Sequence, residues 1–373
     1  MTLPGPPWPD ALFPADPYPG ARPPASFLHA GGVAQPVVAD RERPSGWALD
    51  GRCLDDVLTG LGAAPLADRV PVLAYGSNAC PSKISWMRCH RGLTGPVVCL
   101  RARVEGISAV WSAGRRVVDE QRPATLVAAP GVVEEQAVWF AAPEQFAALD
   151  VVEGRVAVPP RYRLAALTTG RVVLESGAVP DGGPVFEGGA VLDRPIAYIA
   201  PDVPRGDPRT DRRPLLVDGV PVPVTAVGQA GAALLTGVPG DDGLAATTVD
   251  GVPDPRAWPS RVFVYGSLMP GQRAWWRIEQ VAASPPRPAT LPGAAVADTG
   301  HGYPALTLGG TGVPGHVVEL GDPAAAMPDL DRYEGPEYRR IRVSLADGIV
   351  CWAWLWIAGR TGLRPLPDGW ARH

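Results

Sequence analysis

A short pattern occurs twice in this chain, in the same order. Tyr75-Gly76-Ser77-Asn78 returns as Tyr265-Gly266-Ser267-Leu268, and Leu149-Asp150-Val151-Val152-Glu153-Gly154 returns as Leu330-Asp331-Arg332-Tyr333-Glu334-Gly335. Tyr and Glu are 78 residues apart in the first copy and 69 in the second, and a Tyr-Arg pair follows each Glu, Tyr162-Arg163 and Tyr338-Arg339. One three-residue match carries little weight. Two motifs repeated in order at similar spacing imply two diverged copies of one domain. A length of 373 residues is enough for two domains with real cores. The expected division is a Pro-rich arm at 1–47, a first domain with an extension at 48–257, and a second domain at 258–373.

With 45 Pro and 44 Gly the chain would read as disordered if the remainder were polar, but 46% of residues are hydrophobic and 19% charged. Pro density blocks regular hydrogen bonding in the arm, while Trp8, Phe13, Tyr18 and Phe27 favour docking over a free tail. The formal charge of −4 excludes a strongly basic phosphate-gripping protein, so no nucleic-acid partner is expected. Lys83 is the only lysine, so nearly all positive charge is arginine. Cys53, Cys80, Cys89, Cys99 and Cys351 form no disulfide framework, and the loose Cys80, Cys89, His90, Cys99 cluster matches no zinc spacing. Buried thiols and no metal are expected. The first twenty residues lack the features of a signal peptide, and the apolar run Ile349 to Gly359 is too short to span a bilayer. A cytoplasmic protein with no membrane contact is the expectation.

Strand patterns fall at 70–75, 125–129, 136–140, 162–168, 171–175, 195–200, 221–227 and 261–265. Helices are expected over 50–61, from Pro81, over 143–152 with Gly154 as the stop, and from Asp322-Pro323 to Gly335, with Pro328 placed to kink the last. Trp352, Trp354 and Trp356 alternate with Ala353, Leu355 and Ile357, which is strand periodicity and suits a packed wall or domain interface. Trp275-Trp276 could line a pocket or bury against the first domain.

Each Gly-Ser turn joins a strand to a helix start. Glycine admits close approach by a ligand, and unpaired N–H groups there suit a carboxylate or a developing oxyanion. Each Glu ends a short helix, facing the negative end of the dipole beside apolar neighbours. Both effects disfavour its charged form and suit a general base working near neutral pH. A serine hydrolase is disfavoured: the turn is not G-x-S-x-G, and His29, His90, His301, His316 and His373 do not repeat between the halves. His90 and His301 read as satisfied surface or core residues. Metal, Walker A and dinucleotide motifs are absent. Arg212-Arg213 and Arg339-Arg340 read as solvated faces.

Both halves resemble the γ-glutamylcyclotransferase superfamily. The second is similar to the branch containing γ-glutamylamine cyclotransferase and the butirosin-pathway cyclotransferase, through residues 263–271, Gly302-Tyr303-Pro304-Ala305, residues 313–319 and residues 330–340. The first is similar to γ-glutamylcyclotransferase proper, through its Tyr-Gly-Ser-Asn turn and residues 102–107. The resemblance implies an α+β protein with two small mixed β-barrel domains in tandem. It implies Glu153 and Glu334 as acid/base, the turns Tyr75-Gly76-Ser77-Asn78 and Tyr265-Gly266-Ser267-Leu268 as head-group binders, and Tyr338 and Tyr162 as pocket walls. The expected partner is a small γ-glutamyl amide, released as 5-oxoproline and an amine without a cofactor. Two alternatives stay open: one domain is a silent binding copy, or the whole chain is a non-catalytic interaction protein. The gap from Glu to Tyr is nine residues in the first copy and four in the second, a departure at the first pocket.

Overall fold

The computed structural model describes residues 7–178, 184–202 and 208–370. The first six residues of the arm, two short pieces of the stretch 176–257, and the last three residues including His373 lie outside these. The longest hairpin pairs Val97–Trp111 with Ala124–Ala141, and its register shifts between Glu105 and Ile107. Residues 129–132 bulge there opposite Gly106, so the two strands expected at 125–129 and 136–140 are two arms of one bulged strand. The strand Val70–Ala74 lies along the second arm of that hairpin, antiparallel to it. Its other edge pairs in parallel with Ile196–Ile199, which in turn pairs with Arg163–Leu167. Phe27–Ala30 of the arm hydrogen-bonds to the edge of the same sheet at Val97 to Cys99. Phe13 and Tyr18 are buried.

In the second half, Arg261–Val264 lies between the antiparallel strand Val313–Glu319 and the parallel strand Val350–Trp356. Arg287–Leu291 and Tyr338–Ser344 complete a five-stranded sheet. Strand by strand, the order is that of the central part of the first sheet. Trp352 and Trp354 are buried on one face, as their alternation requires.

Three expectations are corrected. Among the described residues no sheet closes into a barrel: the five-stranded sheet ends at Arg287–Leu291 and Tyr338–Ser344, while Ala294–Asp298 and Pro304–Leu308 pair with Arg364–Pro365 in a separate sheet instead of bridging those edges. The expected strand at 221–227 ends after Pro221, because Pro221 and Pro223 have no N–H to donate and the chain turns. The helix expected from residue 50 begins at Leu54, because Asp50 and Gly51 make a hairpin turn between short strands. The helices Pro81–Arg91 and Pro323–Glu334 form as expected, the latter continuing through Pro328. Four of the cysteines are buried and Cys89 is exposed. No helix among the described residues is long and apolar enough to cross a membrane.

The halves are fastened at Arg342. Its guanidinium donates to the carbonyls of Leu66 at 2.9 Å, Trp258 at 3.1 Å and Pro255 at 3.2 Å, and lies 4.5 Å from the ring of Trp258 and 4.7 Å from that of Trp352. Asp193 adds a hydrogen bond from Ser260 at 2.9 Å and an ion pair with Arg261 at 2.8 Å. Removing the guanidinium strands three carbonyls and two ring faces at once. Arg342→Ala is therefore expected to cost about 3 kcal/mol in urea denaturation; a loss below about 0.5 kcal/mol would contradict this role.

Candidate active sites

In the second half the leading strand ends in Tyr265, whose hydroxyl donates to the carbonyl of Trp354 on the parallel neighbour at 2.6 Å. The turn Gly266-Ser267-Leu268 follows. Pro304 covers Gly266 so closely that a Cβ there would lie 2.5 Å from its ring, so only glycine fits. Among the described residues nothing accepts a hydrogen bond from the backbone N–H groups of Gly266, Ser267 or Leu268. These three residues line a cavity of about 330 Å³ together with Tyr303, Tyr338 and Glu334.

The helix Pro323–Glu334 delivers the carboxylate. Asp322 caps its start by accepting from the Ala325 N–H at 3.1 Å, and Gly335 ends it at a φ of 80°. Leu330 is buried beneath it. Asp331 accepts from the Trp354 indole N–H at 2.9 Å and from Arg340 at 2.9 Å, which pins the last turn to the sheet. Glu334 is thereby held part-buried in the cavity wall. Burial, with a smaller contribution from the negative charge of Asp331, pushes its carboxyl up to about 8. No described side chain hydrogen-bonds or ion-pairs with it. Tyr338 donates to the carbonyl of Pro304 at 2.6 Å, and its ring stands edge-on to Trp356 at 5.2 Å. The Ser267 hydroxyl is bonded to that of Tyr333 at 2.9 Å, and no histidine lines the cavity.

The first half repeats these contacts. Tyr75 donates to the carbonyl of Tyr198 on its parallel neighbour. Asp150 accepts from the Tyr198 hydroxyl at 2.7 Å and pairs with Arg155 at 3.1 Å. Gly154 ends the helix Phe146–Glu153 at a φ of 67°. Strand register places Tyr162 where the second half has Tyr338: counted from Tyr198 and Trp354, both sit at the same offset on the adjoining strand. The extra residues before Tyr162 loop outward without moving it. Its hydroxyl donates to the carbonyl of Ala124 at 2.7 Å.

The two sites differ where Asn78 replaces Leu268. The Asn78 amide donates to Glu153 at 2.8 Å, and this opposes the rise that burial imposes on that carboxyl. Gly76 is covered by the arm residue Tyr18, whose hydroxyl lies 2.6 Å from where a Cβ would stand. Arg22 of the arm donates to the carbonyls of Tyr75 at 2.6 Å and Gly76 at 2.8 Å. The cavity here is about 1200 Å³ and includes Lys83, Arg91, Arg116 and Arg212.

All twelve residues named from the sequence thus fall into two groups, one around each glutamate. Sequence reasoning missed Asp150 and Asp331 as anchors, although both belong to the repeated motif. It also missed Tyr18 and Arg22, for which the arm's aromatics were the only signal, and it read Arg212 as solvated although it is buried under the first cavity. Trp275 and Trp276 line neither cavity; Trp276 is exposed beneath Arg277. Among the described residues no group of three or more His, Cys, Asp or Glu side chains is placed to hold a metal.

Residues 262–372 match the family model described as gamma-glutamyl cyclotransferase, AIG2-like. No curated protein matches the chain. Among solved structures, an uncharacterized protein from Pyrococcus horikoshii is 21% identical, covering 28% of this chain and 83% of its own at a TM-score of 0.24. A uropathogenic E. coli-specific protein is 22% identical, covering 29% of this chain and 87% of its own at 0.26. An allophanate hydrolase of Kluyveromyces lactis is 14% identical, covering 66% of this chain but 32% of its own at 0.26.

The raised carboxyl has a consequence for stability. Because Glu334 holds its proton to about 8 when folded against 4.5 ordinarily, the folded state binds more protons across that window, and stability falls as pH rises through it. Glu334→Gln removes this liability. Its stability gain over wild type is expected to grow from pH 4.5 to about 8 and then level off, reaching on the order of 2 kcal/mol after allowance for partial exposure. A pH-independent difference in denaturation would contradict it.

Proposed function

We propose that the pocket at Glu334 cyclises a γ-glutamyl amide, releasing 5-oxoproline and a free amine. The observation that carries this reading is an unpaired, part-buried carboxyl lining one cavity with Gly266, Ser267 and Leu268, whose backbone N–H groups have no acceptor among the described residues. The family match over residues 262–372 supports the same class of reaction.

The substrate supplies its own nucleophile. Its α-amine attacks the side-chain carbonyl and closes a five-membered ring, so the reaction is intramolecular, with effective molarities on the order of 10⁵ M for well-placed groups. In its ionised form, populated as pH approaches 8, Glu334 takes the proton from the attacking nitrogen. The carbonyl oxygen becomes an oxyanion beside the turn N–H groups, each good donor contributing roughly 3 kcal/mol. The C–N bond then breaks, and Glu334 returns the proton to the departing amine. An acid/base that titrates near neutrality is suited to both transfers. Tyr338 and Tyr303 form walls for the head group and the amine portion.

The first half carries the same turn, aspartate anchor, glutamate and tyrosine in the same strand order. We read it as a second copy of the domain, with Glu153 as its acid/base. The alternative of a binding-only copy draws on one observation, the Asn78 amide on Glu153.

Release of 5-oxoproline from a panel of γ-glutamyl amides tests both readings. Glu334→Gln is expected to lower the second site's kcat by about 10²-fold or more. In the Glu334→Gln background, the further substitution Glu153→Gln is expected to abolish what remains. No release by wild type from any substrate contradicts the cyclising reading. Unchanged rates in the double variant contradict the roles given to the two glutamates.

A further inference from the structure

The two cavities differ in charge. The second has one cation, Arg273, against Glu337, with Glu334 holding its proton to about 8. The first has Lys83, Arg91, Arg116, Arg161 and Arg212 against Asp16, Asp119 and Glu153, and is more than three times as large, about 1200 Å³ against 330 Å³. Several of the first cavity's cations are already engaged. Arg116 pairs with Asp119 at 2.7 Å, Arg161 donates to the carbonyls of Val151 and Val152, and Arg212 donates to those of Arg115 and Thr210.

Lys83 and Arg91 both lie on the helix Pro81–Arg91, and among the described residues neither has a carboxylate partner, Arg91 donating only to the carbonyl of His90 at 2.8 Å. Both lie over the exposed ring of Trp86, Lys83 with its ammonium 3.6 Å from the ring centroid and Arg91 at 4.8 Å. His90 stacks on the same indole at 5.2 Å. The Trp86 ring attracts both cations without neutralising either. The cost shows at Lys83: burial, and then the positive charges of Arg116 and Arg91, lower its ammonium to about 8, with Glu153 opposing. A polyanion in the cavity would relieve that repulsion. Lys83 is also the only lysine among 34 basic residues. The Asn78 amide oxygen, buried and unpartnered, marks the inner end of the same cavity beside Glu153.

We propose that the cavity at Glu153 is a separate site for γ-glutamyl amides whose amine portion carries two or more negative charges, received by Lys83 and Arg91. This rests on the reading of Glu153 as an acid/base. The head group lies at the Gly76-Ser77-Asn78 turn, and the departing amine extends over the Trp86 shelf. The two halves thereby divide substrates by charge. The Glu334 cavity, whose single cation Arg273 is offset by Glu337, lacks the positive excess with which the first cavity admits polyanions.

The Glu334→Gln protein isolates the first site. Three probes share the head group: γ-glutamylethylamine, with an uncharged tail; γ-glutamyl-diglutamate, with several carboxylates; and γ-glutamyl-O-phosphoethanolamine, with a phosphate. Release of 5-oxoproline gives kcat/KM for each, and calorimetry on the Glu153→Gln/Glu334→Gln protein gives binding without turnover. At low salt, one or both anionic probes are expected to exceed the neutral one at least about tenfold. Lys83→Gln and Arg91→Gln are each expected to cut that ratio to about threefold or less, and Lys83→Arg to retain it. The carboxylate and phosphate arms identify which anion the site prefers. Equal values for all three probes, or a ratio untouched by both Gln substitutions, overturn the proposal while leaving cyclisation at Glu153 standing. Charge-selective binding without turnover supports the anion site and contradicts the acid/base reading of Glu153. Absence of both binding and turnover overturns the proposal.

Discussion

The candidate chemistry depends on one structural interaction: an aspartate, three residues before each glutamate, tied to the strand that runs parallel to the leading strand. Asp331 takes the Trp354 indole N–H at 2.9 Å, and Asp150 takes the Tyr198 hydroxyl at 2.7 Å. Each is also held by an arginine, Arg340 and Arg155. The same strands accept the hydroxyls of Tyr265 and Tyr75. Helix end and Gly-Ser turn are therefore referenced to a single strand. That is what brings a carboxylate and the turn N–H groups into one cavity, though 69 residues separate Tyr265 from Glu334.

Against this shared frame, small changes set different electrostatics. Leu268 offers the second carboxylate nothing to bond, so burial governs it unopposed. Asn78 supplies an amide to the first. Pro304 closes over Gly266 from within its own half, whereas Gly76 is closed by Tyr18 from the arm, with Arg22 capping the turn's carbonyls. The arm is thus part of the first site's wall, and the loop before Tyr162 and the 210–212 segment widen that site.

Much of this was legible in the sequence because the repeat is short-range in its logic. The turn, the helix stop glycine and the apolar positions of the motif encode local geometry, so both glutamates and both tyrosines could be named. The unequal gaps before Tyr162 and Tyr338 suggested different pockets, but strand register decides where those tyrosines sit, and register is set by partners far along the chain. Sheet closure was not legible for the same reason: edge pairing of Ala294–Asp298 with Pro304–Leu308 and Arg364–Pro365 is a long-range choice. Lys83 stood out only as the single lysine. Its place beside Glu153 depends on packing of the helix Pro81–Arg91 against Phe146–Glu153. Arg342 carried no signal in the sequence, and it is a clamp because both halves present carbonyls to it.

The central claim is that the Glu334 carboxyl keeps its proton to near-neutral pH. Carbon-13 titration of the side-chain carboxyls tests it most directly, with Glu334 assigned by the resonance missing from Glu334→Gln. The account requires that resonance to titrate at about 8. Titration at about 4.5, the ordinary value for a glutamate, would contradict it.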